Sequence, residues 1–505
     1  MLKIKNKHIV LSISLFVIGF IIIWGLLPES WLGTYSLHNV MEITNAFILD
    51  KFGWYYSLFL SAGLILVIYF IFSKYGSIKL GKNEDSPQFS YLAWLSMLFS
   101  AGMGIGLVFY GISEPLSHLH SPLVNGMTEN ESIRFAMTYS FFHWGLQPWA
   151  IYSIVALIIA YFTFRKGKSY LISSCVTPIF RTSSLSKTNN AVDIFAILAT
   201  VFGIIPSIGI GAQQISGGLS YLFPVISNTL SLQLTIIIVF TFLFLISAQT
   251  GLKRGIKYLS NINIVLAALM LLFVLIAGPT MFIMDFFTTI LGSYLQQLPQ
   301  LSLNLNPLNP EEAAYIQGWT IFYWGWWISW TPFVGIFIAR ISKGRTIREF
   351  LSGVVIVPTF ICMFWFTVFG GASIYIDKFM DGSVAEQIAA NGNEIGLFAL
   401  LEHFHFSSIT TIAGMVLIAI FFITSADSAT FVISMLSSNG SLNPPSGIKF
   451  LWGIILAALS CILLMIGGLA SLQTMAIIGA LPFSFIIIWM VISFIKSIKE
   501  EKIQP

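Results

Sequence analysis

The chain has 505 residues, of which 56% are hydrophobic and only 9% charged, and its net charge is +4. A soluble domain carries about 25% charged residues, so this chain cannot cover a water-facing surface of its own size and reads as a membrane protein with many apolar spans. The small net charge gives little hold on nucleic acid, and three scattered cysteines, Cys175, Cys362 and Cys461, are too few for a disulfide framework or a zinc site.

Twelve apolar segments follow in chain order, near 9–27, 52–73, 89–111, 135–162, 192–217, 230–247, 258–278, 319–341, 353–375, 409–435, 450–470 and 474–495. Each is about 18–28 residues, enough to cross about 30 Å of hydrocarbon as a helix. The first is too long for a signal peptide and is followed by no small-residue cleavage site. With the N-terminus inside, 22 of the 25 lysines and arginines fall in cytoplasmic segments, leaving Lys51, Arg134 and Lys378 outside. That asymmetry predicts an all-α polytopic protein of the cell membrane with both termini cytoplasmic.

Span three, "SAGMGIGLVFYG", alternates Gly102, Gly104 and Gly106. These glycines do not line up on one face as a small-residue packing motif would. They predict an unwound stretch, which a membrane tolerates only where it lines a cavity or is covered by protein, and whose freed carbonyls can coordinate a cation. Glu114 follows near the outer end. Span four, "HWGLQPWAIYS", sets Trp144, Trp149 and Tyr152 on an arc of about 140° at about 100° per residue, with Pro148 allowing a bend. Span five reads "ATVFGIIPSIG".

Span eight opens with "WTIFYWGWWISW", which holds five of the chain's 14 tryptophans. Trp319, Tyr323, Trp326, Trp327 and Trp330 share an arc of about 100°, while Trp324 points elsewhere. Trp319 and Tyr323 fit an interfacial aromatic belt. Trp326, Trp327 and Trp330 lie about 10–16 Å deeper at 1.5 Å per residue, where lipid packing does not call for indole but a pocket wall does. Two aromatic faces predict a box for a cation without hydrogen-bond donors, such as a quaternary ammonium. No carboxylate stands on those two faces and none is needed.

Span ten carries "FFITSADSAT". Thr424 and Ser425, three and four residues after Phe421, either bond their own helix or, beside the unwound span three, complete a sodium site of hard oxygen ligands. Asp427 and His143 are the ionisable residues at depth, with Glu114 near the outer end of span three; a residue of this kind inside a membrane is a functional candidate because of the cost of placing it there, with capping or packing as the plainer alternative. The pairs His118/His120 and His403/His405 read as solvated outer-loop residues.

Together these motifs resemble the betaine/choline/carnitine transporters over essentially the whole chain. The span-eight run "WGWWISWTPFVGIFIARISKGRTIREF" is the most specific match, with "GMGIG" and "TSADSAT" in support. The resemblance implies a five-plus-five inverted repeat after two N-terminal helices: residues 1–88 for the tail and extra helices, 89–280 for repeat one, 319–495 for repeat two and 496–505 for a short cytoplasmic tail. An odd number of spans per repeat inverts the second against the first. It implies secondary uptake of a quaternary-ammonium compatible solute, glycine betaine foremost, by a homotrimer with sodium as coupling ion, no cofactor and no enzymatic activity. The substrate residues would be Trp144, Trp149, Tyr152 and Trp327 as the box, with Trp326 on the same face, Trp330 in the inner pathway and Gly102, Gly104 and Gly106 beside it. Sodium would be held by the backbone oxygens of Ser100, Met103 and Phe421 and the hydroxyls of Thr424 and Ser425. A second sodium would use Thr200 and the face of Phe333, although Ile204 and Pro206 stand where sodium-coupled relatives often have hydroxyls. Gly106, where proton-coupled choline transporters tend to have aspartate, favours sodium coupling and a zwitterion. The short tails do not support the long-tail mode of osmotic sensing.

The alternatives are a proton-coupled choline or carnitine-type transporter or exchanger, with Asp427 or Glu114 titrating. The cationic residue that exchangers tend to place at the sodium position is not seen. An intramembrane enzyme at His143 or Asp427 would need a nucleophile or metal set at matching depth, and a passive channel would need a polar lining.

Overall fold

The computed structural model describes residues 9–102, 104–177, 185–249, 255–380 and 382–501. Their regular structure is helical apart from one antiparallel bridge between Lys79 and Thr346. In chain order the main helices are α1 (Ile9–Leu26), α2 (Leu37–Phe72), α3 (Tyr91–Gly102), α4 (Ile105–Leu119), α5 (Glu129–Trp144), α6 (Leu146–Ala160), α7 (Leu185–Leu222) and α8 (Leu230–Gln249). They continue with α9 (Gly255–Ala277), α10 (Thr280–Leu303), α11 (Pro310–Ile316), α12 (Phe322–Ile341), α13 (Ile347–Phe379), α14 (Ser407–Ser437) and α15 (Ser446–Lys499).

Among the described residues, nine helical runs are long and apolar enough to cross a membrane. Several depart from the sequence expectation. Helix α2 begins at Leu37, not near 52, because the Ser36 side chain caps it by accepting from the Asn39 N–H. Span four is not one bent helix. It breaks at Gly145 (φ −90°, ψ −131°) into α5 and α6, upstream of Pro148, whose missing N–H leaves the preceding turn without its usual bond. The division between the last two segments falls at Gly467 and Gly468, whose non-helical dihedrals kink the 54-residue α15. Gly468 has φ 62°, a left-handed conformation that glycine adopts without cost.

Helix α10 lies outside the twelve apolar segments, between those at 258–278 and 319–341. Its buried residues Ile283, Phe287, Ile290, Tyr294 and Leu301 recur at helical spacing. The polar residues between them dilute its hydropathy. That single face packs on α2, α5 and α13.

Helix α12 forms the centre of the bundle, packed against α6, α7 and α15. Every residue from Phe322 to Ile336 is buried, the pattern of a helix enclosed by protein on all sides. Gly203 of α7 permits one of these contacts: a Cβ there would sit 2.8 Å from the Ser329 carbonyl carbon. By contrast, only 11% of the residues in the hydropathy window of α1 are buried.

The loops sort to two ends. At one, Leu80 N–H donates to Arg345 O and Gly344 N–H to Leu80 O, each at 2.8 Å. Arg165 donates to Gly81 O at 2.9 Å and pairs with Glu501. These are segments the cation count assigned to one side. Arg345 is not a solvated cation: it is buried, pairs with Glu349, and lies 4.1 Å from the Trp94 ring centroid. At the other end Lys378 reaches Asn130 at 2.7 Å and Glu129 at 3.1 Å.

Candidate functional site

Local sequence sets the three helices of the site. Thr128 and Glu131 form a reciprocal capping box that starts α5. Asn309 caps α11 with Pro310 at the first helical position, and a π turn over Gln317–Ile321 leads into α12. Span three is interrupted between α3 and α4, where Gly104 is extended (φ −139°, ψ −172°) and caps α4. The predicted break is thus present. Met103 lies outside the described residues, and of Ser100 and Gly102 only the helical backbone is described.

The aromatic wall runs down α12. Trp326 and Trp327 stack at 4.9 Å and 13°, Trp327 and Trp330 at 6.5 Å and 20°, and Trp330 and Phe333 at 6.0 Å and 28°. Facing it, Trp144 of α5 meets Trp327 edge-to-face at 4.9 Å and 75°. Tyr152 of α6 does the same at 6.2 Å and 77°, and Trp149 adjoins Tyr152 at 5.8 Å. The residues expected to form the box therefore converge, although on two helices: the arc computed across Trp144–Tyr152 does not apply through the break at Gly145. Gly106 lies under this wall. A Cβ there would stand 2.8 Å from Trp326 Cη2 and 3.1 Å from Trp144 Cη2, and one on Gly104 would stand 3.6 Å from Trp330 Cη2. Gly106 is needed for the close approach of two indoles to the backbone.

Trp324 lies off the shared face, as expected, with its ring against Phe142 and His143. Trp319 and Tyr323 do not form an interfacial belt. Tyr323 is fully buried, and Trp319 packs 4.8 Å from His118 and 6.1 Å from Tyr110. The π turn and α11 continue the helix beyond them, so neither sits at its outer end.

The largest correction is a carboxylate. Glu114 of α4 is fully buried and accepts from Trp144 Nε1 at 2.8 Å and Tyr323 OH at 2.5 Å, both on Oε2. Its Oε1 lies 2.7 Å from His143 Nδ1 and 3.2 Å from His118 Nε2. The remote nitrogens are also held: His143 Nε2 lies 2.9 Å from Thr320 Oγ1, and His118 Nδ1 2.7 Å from Tyr315 OH. A carboxylate does bond the box, His118 is not a solvated loop residue, and His143 has a second histidine at its own depth. The signal available in the sequence was the i,i+4 pair Glu114/His118, with His143 next to Trp144.

The hydroxyl region is held differently. Thr424 Oγ1 donates to Ile420 O at 2.8 Å and lies 3.3 Å from Phe421 O, so two of the expected ion ligands adjoin. Ser425 borders a narrow gap, too small for a water molecule, with Ile204 and Ser207 of α7 and with Ile105, the first residue after the span-three break. Ser207 was missed: among the described residues its buried hydroxyl has no hydrogen-bond partner, one residue beyond the Pro206 that departs from the family pattern. Thr200 Oγ1 donates to Ala196 O at 2.7 Å, while Phe333 stacks on Trp330. Asp427 is buried on α14.

A helical bundle with nine runs apolar and long enough to cross a membrane among the described residues, and a broken span against a central aromatic wall, defines the class: a polytopic membrane transporter. Comparison with known proteins narrows it. A sequence profile for the betaine/carnitine/choline family transporters matches residues 9–503. The chain is 49% identical over 499 residues to the glycine betaine transporter OpuD of Bacillus subtilis (strain 168), covering 98% of this chain and 96% of that one. It is 40% identical over 494 residues to the ectoine/hydroxyectoine transporter of Virgibacillus pantothenticus, covering 97% and 96%. It is 37% identical over 501 residues to a probable glycine betaine transporter of Desulfitobacterium hafniense (strain Y51), covering 98% of each. The chain belongs to the betaine/carnitine/choline transporter family, and is a multi-pass membrane transporter, not an enzyme.

Proposed function

We propose that the protein takes up a quaternary-ammonium compatible solute, glycine betaine foremost, by sodium-coupled alternating access. The observation that carries this reading is the Trp327 ring, nearly parallel to the neighbouring Trp326 and Trp330 rings and met edge-to-face by Trp144 and Tyr152. A trimethylammonium group has no donor to satisfy and is attracted by ring faces, by about 2 kcal/mol or more when desolvated. Among the described residues the Tyr152 hydroxyl and Trp330 Nε1 are buried without a partner. Both can donate, and a substrate carboxylate would accept from them, which favours a zwitterion over choline.

Sodium is assigned to Phe421 O, Thr424 and Ser425 with the span-three carbonyls of Ser100 and Met103. In support, Ser425 and Ile105, at the span-three break, border the same narrow gap. The chain crosses the cell membrane twelve times in this reading, as a five-plus-five inverted repeat with both termini cytoplasmic, and assembles as a trimer. The second reading, proton-coupled transport, is favoured by one observation: the buried Glu114 carboxylate between two imidazoles.

Uptake of labelled glycine betaine into proteoliposomes separates the two, with sodium and proton gradients imposed one at a time and choline and ectoine as competitors. A sodium gradient alone is expected to drive accumulation, with choline competing weakly. Accumulation driven by a proton gradient without sodium would install the second reading. No saturable uptake of glycine betaine under either gradient would overturn the substrate assignment.

A further inference from the structure

Glu114 and the aromatic box lie on either side of one indole. Trp144 presents its edge to Trp327 on one side and directs Nε1–H to Glu114 Oε2 on the other. An indole N–H can only donate, and Tyr323 OH also ends on Oε2, so Oε2 carries no proton; the carboxyl is charged when the two imidazole nitrogens on Oε1 carry the hydrogens there. The groups facing the carboxyl from the packed elements are Tyr110 and His118 on α4, Tyr139, His143 and Trp144 on α5, Tyr315 on α11, Thr320 in the π turn and Tyr323 on α12. Among the described residues no lysine or arginine pairs with it; the ring nitrogens beside it belong to two buried histidines. A buried carboxylate without a fixed cation is costly, and a cation placed nearby lowers that cost.

We propose that Glu114 is a specificity-determining residue: it supplies the negative charge that makes the box prefer a cation, acting through Trp144 and Tyr323 as a positioning residue for both rings. This rests on the quaternary-ammonium reading above. The carboxylate draws on the indole N–H and the phenol O–H, which raises electron density on the two rings, and its own charge acts across a site of low dielectric. Opposite unit charges on the order of 10 Å apart, at an effective dielectric constant of about 20, correspond to roughly a tenfold gain in binding. The same charge repels a ligand of equal shape that lacks the ammonium.

The test pairs glycine betaine with 3,3-dimethylbutanoate, in which carbon replaces the quaternary nitrogen while the shape and the carboxylate remain. Binding of both to the purified full-length protein is followed by tryptophan fluorescence, for the wild type and Glu114→Gln. The preference for glycine betaine is expected to fall about tenfold in the variant, with glycine betaine weakening and the isostere binding equally well or better. A preference that stays within about threefold of wild type, including the case where both ligands weaken alike, overturns the proposal, because lost packing does not discriminate charge. If the Gln variant is not recovered folded, Tyr323→Phe cuts a bond to Glu114 and leaves the four box rings in place. The preference should then narrow about threefold, and an unchanged preference overturns the proposal. A wild-type protein that binds the two ligands equally defeats the quaternary-ammonium reading itself, which is a different result from a variant that keeps the wild-type preference.

Discussion

In the aromatic site three of the indoles are tied to other helices. Trp327 Nε1 donates to His143 O at 3.1 Å, Trp326 Nε1 to Gly203 O at 2.9 Å, and Trp144 Nε1 to Glu114 at 2.8 Å. The hydroxyl region of α14 is the opposite case: Thr424 bonds the carbonyls of its own preceding turn, as threonine does in any helix. The comparison separates two ways of making a site. The proposed substrate wall is pre-oriented by tertiary bonds, so selectivity there would be built before anything binds. At the proposed ion site, a cation would have to compete with bonds that the helix makes for itself, so its ligands would be assembled by exchange of partners.

That contrast is sharpest where its two halves are mutated. Removing both hydroxyls (Thr424→Ala with Ser425→Ala) should raise the sodium concentration for half-maximal uptake by about a hundredfold or abolish uptake, at about 1.5–3 kcal/mol per bond to a charged group. Unchanged sodium dependence in an inserted protein would remove the ion assignment. Trp327→Leu keeps bulk and loses the ring quadrupole, so glycine betaine affinity should fall at least about tenfold. Trp324→Leu, off the face, should lower the melting temperature yet leave affinity within about threefold. Equal affinity losses at the two positions would make the wall mere packing.

Gly106→Ala pushes a methyl group against two pinned indoles, and overpacking of that kind costs about 1–3 kcal/mol. Affinity should fall severalfold with sodium dependence intact. Wild-type affinity would show that the wall yields, against the pre-oriented view. The smallest effect is expected far from both sites, at Glu501. Burial disfavours its charge, yet Arg165 and Lys166 outweigh that and hold the carboxyl at about 2. A depressed folded-state value stabilises above the unfolded value and is lost as pH falls. The melting-temperature gap between wild type and Glu501→Gln should therefore be constant above about pH 5 and close between about pH 4.5 and 2. A gap independent of pH would show that the pair contributes nothing by charge.

The same contrast marks what was legible in the sequence. Helical phase on α12 gave the wall, because the helix is regular from Phe322 and Trp326, Trp327 and Trp330 repeat on one face. The alternating glycines gave the break before α4. Glu114 was not legible as a partner of the box: Trp144 is 30 residues away and Tyr323 is 209 residues away, and a lone acid near a span end has no pattern of its own. The belt reading of Tyr323 failed for the same reason, since what buries it is a partner on another helix. Helix α10 escaped because its apolar residues are diluted by polar ones, and the break at Gly145 because a proline three residues on drew attention from it.

Helix α10 has a further consequence. The N–H of Leu146, at the start of α6, donates to Tyr294 OH at 3.0 Å, and Gln147 Nε2 donates to Ser302 Oγ at 2.7 Å. Both anchors sit on α10, whose opposite face, at Met281, Met284 and Leu295, is exposed. The first turn of the helix that carries Trp149 and Tyr152 is therefore buttressed from the perimeter of the bundle. A displacement of α10 either breaks these two bonds or carries α6 with it. Whatever surrounds the transporter has a mechanical handle on the shape of its innermost site, two hydrogen bonds long.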